Sequence, residues 1–331
     1  MGQARGGDRE GRPGDGELKR IPVQVEAQFT GWRLDLYLRQ KIRRLSREQI
    51  QGIIATRLEH GGPGKLKPAT RVAAGMRFVL LSESGPEPDV PLNFGVIFDD
   101  GGLLVVDKPA GIPVHPNARY VDHTLTALLR TAYPDRKVDP AHRLDRETSG
   151  LLACGCHLAA TRALKIAFAR GQVEKTYLAL ALGAPAQERF TVEAPLRLTR
   201  ASAVGVRMHV AADGLAARTD VEVLETRHIP GGEAIALLAC RPRTGRQHQI
   251  RAHLHHAGLH LVGDKIYGRD ELIFDRFTRG ELSDDDRSSL MLPRQALHAW
   301  RLALAHPGSG ETLHLESPLA ADLQRFWDSC A

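Results

Sequence analysis

Ile21-Pro22-Val23-Gln24-Val25 alternates apolar and polar side chains, the period of an exposed strand, and ordered structure is expected to begin there. The period then changes. Leu34, Leu38 and Ile42 recur every four residues, which predicts a helix with one apolar stripe. Ser46 reads as the N-cap of a second helix, with Gln49 completing a capping-box pattern and Ile50, Ile53 and Ile54 forming the buried face. Ser82 to Pro91, with Gly85, Pro86, Pro88 and Pro91, reads as a linker. Beyond it, Val96-Ile97-Phe98 and Leu103-Leu104-Val105-Val106 flank Asp99-Asp100-Gly101-Gly102, a hairpin signal. Short strands, scattered helices and loops follow to about Phe326 without an internal repeat. That pattern predicts an α+β domain rather than regular βαβ alternation.

Composition adds bounds. The chain has 331 residues, 42% hydrophobic and 25% charged, which suits a globular protein of two domains. Its first twenty residues hold six glycines amid mixed charges and bury too little to offset their ordering entropy. The expected organisation is a disordered tail over 1–19, a small module over 20–81, a linker over 82–91 and a larger domain over 92–331. No apolar run is long enough to span a bilayer, and the charged start is unlike a secretory signal. Four cysteines without a Cys-x-x-Cys pair do not make a disulfide framework, so a reduced, cytoplasmic setting is expected. A net charge of +6 fits an anionic partner such as nucleic acid.

The charge is concentrated early. Arg33 to Arg47 holds six basic residues and one acid, Asp35. By itself such a run is most often a solvated helix face. The order Arg33-Leu34-Asp35, Leu38, Ser46-Arg47, Ile53, Lys65-Leu66-Lys67-Pro68 and Gly75 to Leu80 resembles the S4 RNA-binding domain over about sixty residues. The resemblance implies a helix–helix–hairpin module that presents Arg33, Arg39, Arg43, Arg47, Lys65 and Lys67 to RNA phosphates. The family's usual Val-x-Val-Asn-Gly hairpin is replaced by Leu58-Glu59-His60-Gly61-Gly62, which is expected to turn on its glycines.

Chemistry is signalled further on. Ala141-His142-Arg143-Leu144-Asp145-Arg146-Glu147-Thr148-Ser149-Gly150 is a polar loop that runs into an apolar strand. A carboxylate between two guanidinium groups stays ionised, whether it serves catalysis or a structural ion pair. About a hundred residues later comes Thr244-Gly245-Arg246-Gln247-His248-Gln249-Ile250-Arg251, and between the two Tyr177 opens an apolar strand behind Lys175. On burial habits alone that tyrosine is a packing residue.

Together these stretches resemble the RluA family of pseudouridine synthases. His142-Arg143-Leu144-Asp145 with Thr148-Ser149-Gly150, Lys175-x-Tyr177 and Thr244-Gly245-Arg246-x-His248-Gln249-Ile250-Arg251 match its three motifs. Asp107 to Gly111, Gly263-Asp264-x-x-Tyr267-Gly268 and Leu297-His298-Ala299 match in order, so the likeness covers roughly residues 90 to 326. It implies a mixed, mainly antiparallel sheet and isomerisation of uridine to pseudouridine without cofactor or metal. Asp145 would be the essential carboxylate, acting as nucleophile or as base. Arg251 would pair with it, Tyr177 stack on the base and Ile250 wall the ring. Arg143 would fill the space the flipped base leaves, with His142, Arg246 and His248 also at the substrate. An S4 module ahead of this domain is the arrangement of members acting on large-subunit ribosomal RNA. Transfer RNA is the alternative substrate, and a non-catalytic assembly factor the alternative role.

Two departures stand out. Gln247 replaces the usual Thr, Ser or Pro and is expected to tune activity, while Ala153-Cys154-Gly155-Cys156 replaces bulkier residues and a lysine. His256 and His260 have helical i,i+4 spacing, but no carboxylate is spaced to complete a metal site, so no metal is expected. Cys154 and Cys156 read as buried thiols, Asp284-Asp285-Asp286 as a solvated loop and the protein as a monomer.

Overall fold

The computed structural model describes residues 19–42, 47–82, 87–117, 120–199, 207–229, 231–270 and 272–331. The chain forms two compact units, Met1–Glu87 and Pro88–Ala331.

In the first unit, β1 (Lys19–Gln24), α1 (Leu34–Lys41), α2 (Arg47–Thr56), β2 (Leu58–Glu59) and β3 (Arg77–Ser82) enclose one core. Leu34, Leu38, Ile50 and Ile54 are buried there with Tyr37 and Phe78, so both predicted helical stripes face inward. Strand β1 starts two residues before the predicted Ile21, because Lys19 and Arg20 also pair with β3. The glycines after Glu59 do not close a tight hairpin. Leu58 and Glu59 pair instead with Leu80 and Val79, giving the antiparallel order β1-β3-β2. Residues 1–18 of the predicted tail, Arg43 and the Ser46 cap lie outside the described residues.

The second unit contains β4 (Gly95–Asp99), β5 (Leu103–Lys108), α3 (Leu125–Ala132), β6 (Asp139–Pro140), β7 (Ser149–Gly155), α4 (Leu158–Ala169) and β8 (Glu174–Leu182). It continues through β9 (Arg189–Glu193), β10 (Leu196–Leu198), β11 (Met208–Val210), β12 (Arg218–His228), β13 (Ala234–Pro242), α5 (Gln249–His256) and β14 (His260–Leu261). The chain ends with α6 (Ile273–Arg279), α7 (Asp284–Leu290), β15 (Leu297–Ala305), β16 (Thr312–Glu316) and α8 (Ala321–Asp328). The main sheet runs β4-β5-β7-β15-β8-β13-β12-β9. Among the described residues its one parallel pair is β15 with β7, so the expected α+β fold with a mainly antiparallel sheet is what forms. The hairpin at Asp99–Gly102 also forms, with the Asp100 carboxylate accepting the Gly102 and Leu103 amides.

Strand β7 is buried on both faces, which is why it reads as an unbroken apolar run. Leu152 and Cys154 enter one core cluster, Leu151 and Ala153 another with Leu164 of α4. Cys154 and Cys156 are the buried thiols expected. Both glycines of this strand are sterically required. A Cβ on Gly150, at φ +106°, would stand 2.3 Å from the Ala299 carbonyl oxygen, and one on Gly155 2.3 Å from the Thr161 nitrogen. The second contact lets α4 lie directly on the strand.

Two expectations need correction. Val90 packs on the core and Pro88 O lies 2.9 Å from His123 Nδ1, so the second half of the predicted linker belongs to the larger unit. Asp284 to Asp286 is not a loop but the first turn of α7, where carboxylates suit the positive end of a helix. Ser283 and Asp286 form its capping box, and Arg276 grips Asp286 through two nitrogens. Among the described residues no helix is long and apolar enough to cross a membrane.

Candidate active site

Strands β7, β15, β8 and β13 are neighbours, so their ends and the adjoining loops meet. The loop before β7 brings His142, Arg143 and Asp145, and β8 brings Tyr177. The turn from β13 into α5 brings Arg246, His248, Ile250 and Arg251. All eight residues predicted for this domain line one cavity of about 580 Å³, a size suited to a small flat ligand.

Arg251 organises its floor. Its Nη1 donates to Asp145 Oδ2 at 2.8 Å, while Nε and Nη2 donate to Asp264 Oδ2 and Oδ1 at 2.7 and 2.8 Å. Asp264 has no side-chain exposure, accepts the Ile266 and Tyr267 amides as well, and sits down at about 2. Burial raises it, but Arg251 and these bonds outweigh that cost. Asp145 behaves alike. Burial raises its carboxyl, yet His248, in the acid range where it is charged, and Arg251, through its charge and its hydrogen bond, leave it below the usual range. Burial first, then Arg251, pushes His248 down to about 4, so near neutral pH that imidazole is uncharged and Arg251 keeps Asp145 ionised. Burial and the Asp145 charge push the Tyr177 phenol well up, so it stays protonated at working pH.

His248 adopts a left-handed backbone, φ 53° and ψ 21°, at the N-cap of α5. Its Nδ1 is 3.1 Å from Tyr267 Oη, which itself accepts the Met208 amide at 2.7 Å. The phenol proton therefore goes to Nδ1, and the Nε2 proton faces Asp145 Oδ1 at 3.8 Å. Tyr267→Phe is expected to orphan the Met208 amide at a cost of about 1–3 kcal/mol, and to slow conversion roughly tenfold by freeing His248. Thermal unfolding and single-turnover assays measure the two effects; unchanged turnover would refute the role given to Tyr267.

His142 is a loop support more than a ligand. Its ring stacks on Phe168 at 4.2 Å, Nε2 accepts the Ala153 amide, and burial pushes it down to about 3. Several further residues, assigned no role from sequence, support the loop. The fully buried Lys108 donates to the carbonyls of Pro109, Ile112 and Arg146, fastening the Asp145 loop to β5. Lys265 grips both Glu147 oxygens, and Gln295 donates to Thr148 Oγ1 at 2.7 Å. The signal for Lys108 was a charged residue closing the apolar run Leu103–Val106. Lys265 and Gln295 carried none. His260 lies in β14 while α5 ends at His256, so their helical spacing is not realised.

In the first unit, the buried Asp35 takes Arg33 through two nitrogens and Arg47 at 3.3 Å. One carboxylate thus orients two guanidinium groups and leaves net positive charge. Arg39, Lys65 and Lys67 are exposed, with no carboxylate partner among the described residues.

A carboxylate paired to Arg251 in a cavity lined by Tyr177, Ile250, Leu297 and several arginines is suited to an enzyme that acts on an uncharged ring of a polyanion. Residues 102–256 match the RNA pseudouridylate synthase family. Ribosomal large subunit pseudouridine synthase D of Nitrosomonas europaea is 36% identical over 313 residues, 92% of this chain and 86% of that protein. Ribosomal large subunit pseudouridine synthase C of Pasteurella multocida is 31% identical over 316 residues, 92% of each. Among solved structures, human RNA Pseudouridylate Synthase Domain Containing 1 superposes with a TM-score of 0.58 at 25% identity, covering 74% of this chain and 91% of that one. The chain belongs to the RluA family and is an RNA pseudouridine synthase.

Proposed function

We propose that the protein converts specific uridines of large-subunit ribosomal RNA to pseudouridine, with Asp145 as the catalytic carboxylate. The observation that carries this reading is the Arg251–Asp145 pair on the floor of a cavity walled by Tyr177 and Ile250. The reaction breaks N1–C1′ and forms C5–C1′, while one proton leaves C5 and one arrives at N1. No redox partner is needed. An ionised carboxylate is the form required both to attack the sugar and to abstract a proton, and Arg251 maintains it. A protonated Tyr177 stacks on the detached ring and supplies a hydrogen-bond donor. Arg143, exposed and without a carboxylate partner among the described residues, takes the place the flipped base leaves in the RNA stack. Ribosomal RNA is favoured over transfer RNA by the names of the relatives, which align across more than nine-tenths of this chain.

The first unit acts as an S4-type RNA-binding domain through Arg33, Arg39, Arg47, Lys65 and Lys67. Removing residues 1–87 is expected to weaken RNA binding at least tenfold and blur site choice, while single-turnover conversion at saturating RNA persists. Unchanged affinity after the truncation would refute the domain's role. The function itself is tested by mapping pseudouridine in total RNA from the host, its deletion strain, and strains rescued with wild type or Asp145→Asn. Sites that vanish on deletion and return only with wild type support the reading. Sites lost from transfer RNA alone, or none lost, overturn it.

A further inference from the structure

The inner face of α4 is clamped, since Thr161 Oγ1 donates to the Gly155 carbonyl and Leu164 is buried. Its outer face carries Leu158, Arg162 and Ile166 on one i, i+4, i+8 stripe, with Lys165 beside them. That stripe is unusual for a solvated helix. Leu158 is 70% exposed and Ile166 41%. Neither Arg162 nor Lys165 has a carboxylate partner among the described residues. Other guanidinium groups of this unit are matched, among them those of Arg136 with Asp99, Arg241 with Glu222 and Arg301 with Glu316. The four side chains line a shallow groove of about 480 Å³ with Asp139 as its single acid. Lys165 and Ala169 line the active-site cavity too, so groove and cavity share a rim.

We propose that this face of α4 is a second RNA subsite, in which Lys165 and Arg162 take a backbone phosphate of the target strand and Leu158 and Ile166 seat the neighbouring base. The inference rests on the function proposed above and names the part of the substrate next to the flipped uridine. Unmatched cations beside an active site that takes a polyanion attract its phosphates, and an aliphatic surface of this kind accepts any base face. The stripe spans about 12 Å at 1.5 Å rise per residue, enough for one nucleotide beyond the cavity. A rigid helix supplies such a contact without ordering a loop on binding.

The probe is the host's large-subunit ribosomal RNA transcribed without modification. In Arg162→Ala/Lys165→Ala, KM is expected to rise roughly tenfold and the slope of log Kd against log salt to shrink by about 0.7, with the saturated single-turnover rate much less affected. Leu158→Ser/Ile166→Ser is expected to weaken binding with the slope intact. Both pairs are exposed, so folding is not at stake, and circular dichroism checks it. A photoreactive group on Ile166→Cys is expected to crosslink within a few nucleotides of the converted uridine. Wild-type KM and slope in both double variants, or crosslinks scattered over the RNA, would overturn the subsite. Failure of wild type to convert any uridine would instead overturn the proposed function.

Discussion

Asp145→Asn is expected to bind RNA almost as wild type does and to form no pseudouridine, a loss of about 10⁴-fold or more in single-turnover rate. The substitution keeps shape and volume but removes the one ionised group on the cavity floor. Arg251 stays in place, because two of its three contacts go to Asp264. On the proposed reading, affinity comes from the cationic side chains of the rim and of the first unit rather than from that carboxylate. A filter-binding assay run beside a tritium-release assay separates the two effects. Appreciable turnover by the asparagine variant would end the catalytic assignment.

Arg251→Met is the change with the largest expected effect on the fold. It strands two carboxylates, one of them without side-chain exposure, and removing one partner of a buried pair costs about 3–5 kcal/mol. Its pH signature is a reversal. In wild type, Asp264 ionises near 2 instead of the ordinary 3.8, so its contribution is complete above about pH 4 and is lost as pH falls toward 2. Without Arg251 only the Ile266 and Tyr267 amides oppose the burial cost, and the carboxyl titrates above its ordinary value. The variant should therefore gain stability on mild acidification, over a range where the wild-type contribution of Asp264 stays constant. Thermal unfolding from pH 4 to pH 8 reads the sign directly. Adding Asp264→Asn should recover much of the stability but not the activity, because nothing then holds Asp145 ionised. Lysine is no substitute, since a single ammonium cannot serve both carboxylates with the geometry of a fork.

The legible parts of the chain share a trait: their signals are local. A four-residue stripe such as Leu34, Leu38 and Ile42 needs only helix periodicity to be read, and Asp99 to Gly102 needs only turn chemistry. The motif around Asp145 was clear only through its likeness to the family, because a carboxylate between arginines serves a structural ion pair as readily as catalysis. The misread parts depended on distant partners. Asp284 to Asp286 looks like a solvated acidic run until Arg276 is seen beside it. Leu58 and Glu59 looked like one arm of a hairpin, yet their partner strand begins at Arg77. His256 and His260 fell in different elements because Gly258, at φ +76°, lies between them.

By itself the amino-acid sequence determined the two-part organisation, the α+β class, the family and the eight residues of the larger unit that line the cavity. The organisation and class follow from periodicity and composition, and the family and the eight residues from the likeness of motifs that neighbouring residues carry together. Tertiary structure alone decided what each residue answers to: that Asp145 and Asp264 share one guanidinium, that Tyr267 turns the His248 proton toward the carboxylate, and that Lys108 ties the catalytic loop to β5. Those facts depend on which strands lie side by side. That adjacency is set by the burial of apolar faces over the whole sheet, a sum over distant residues that no short stretch of chain contains.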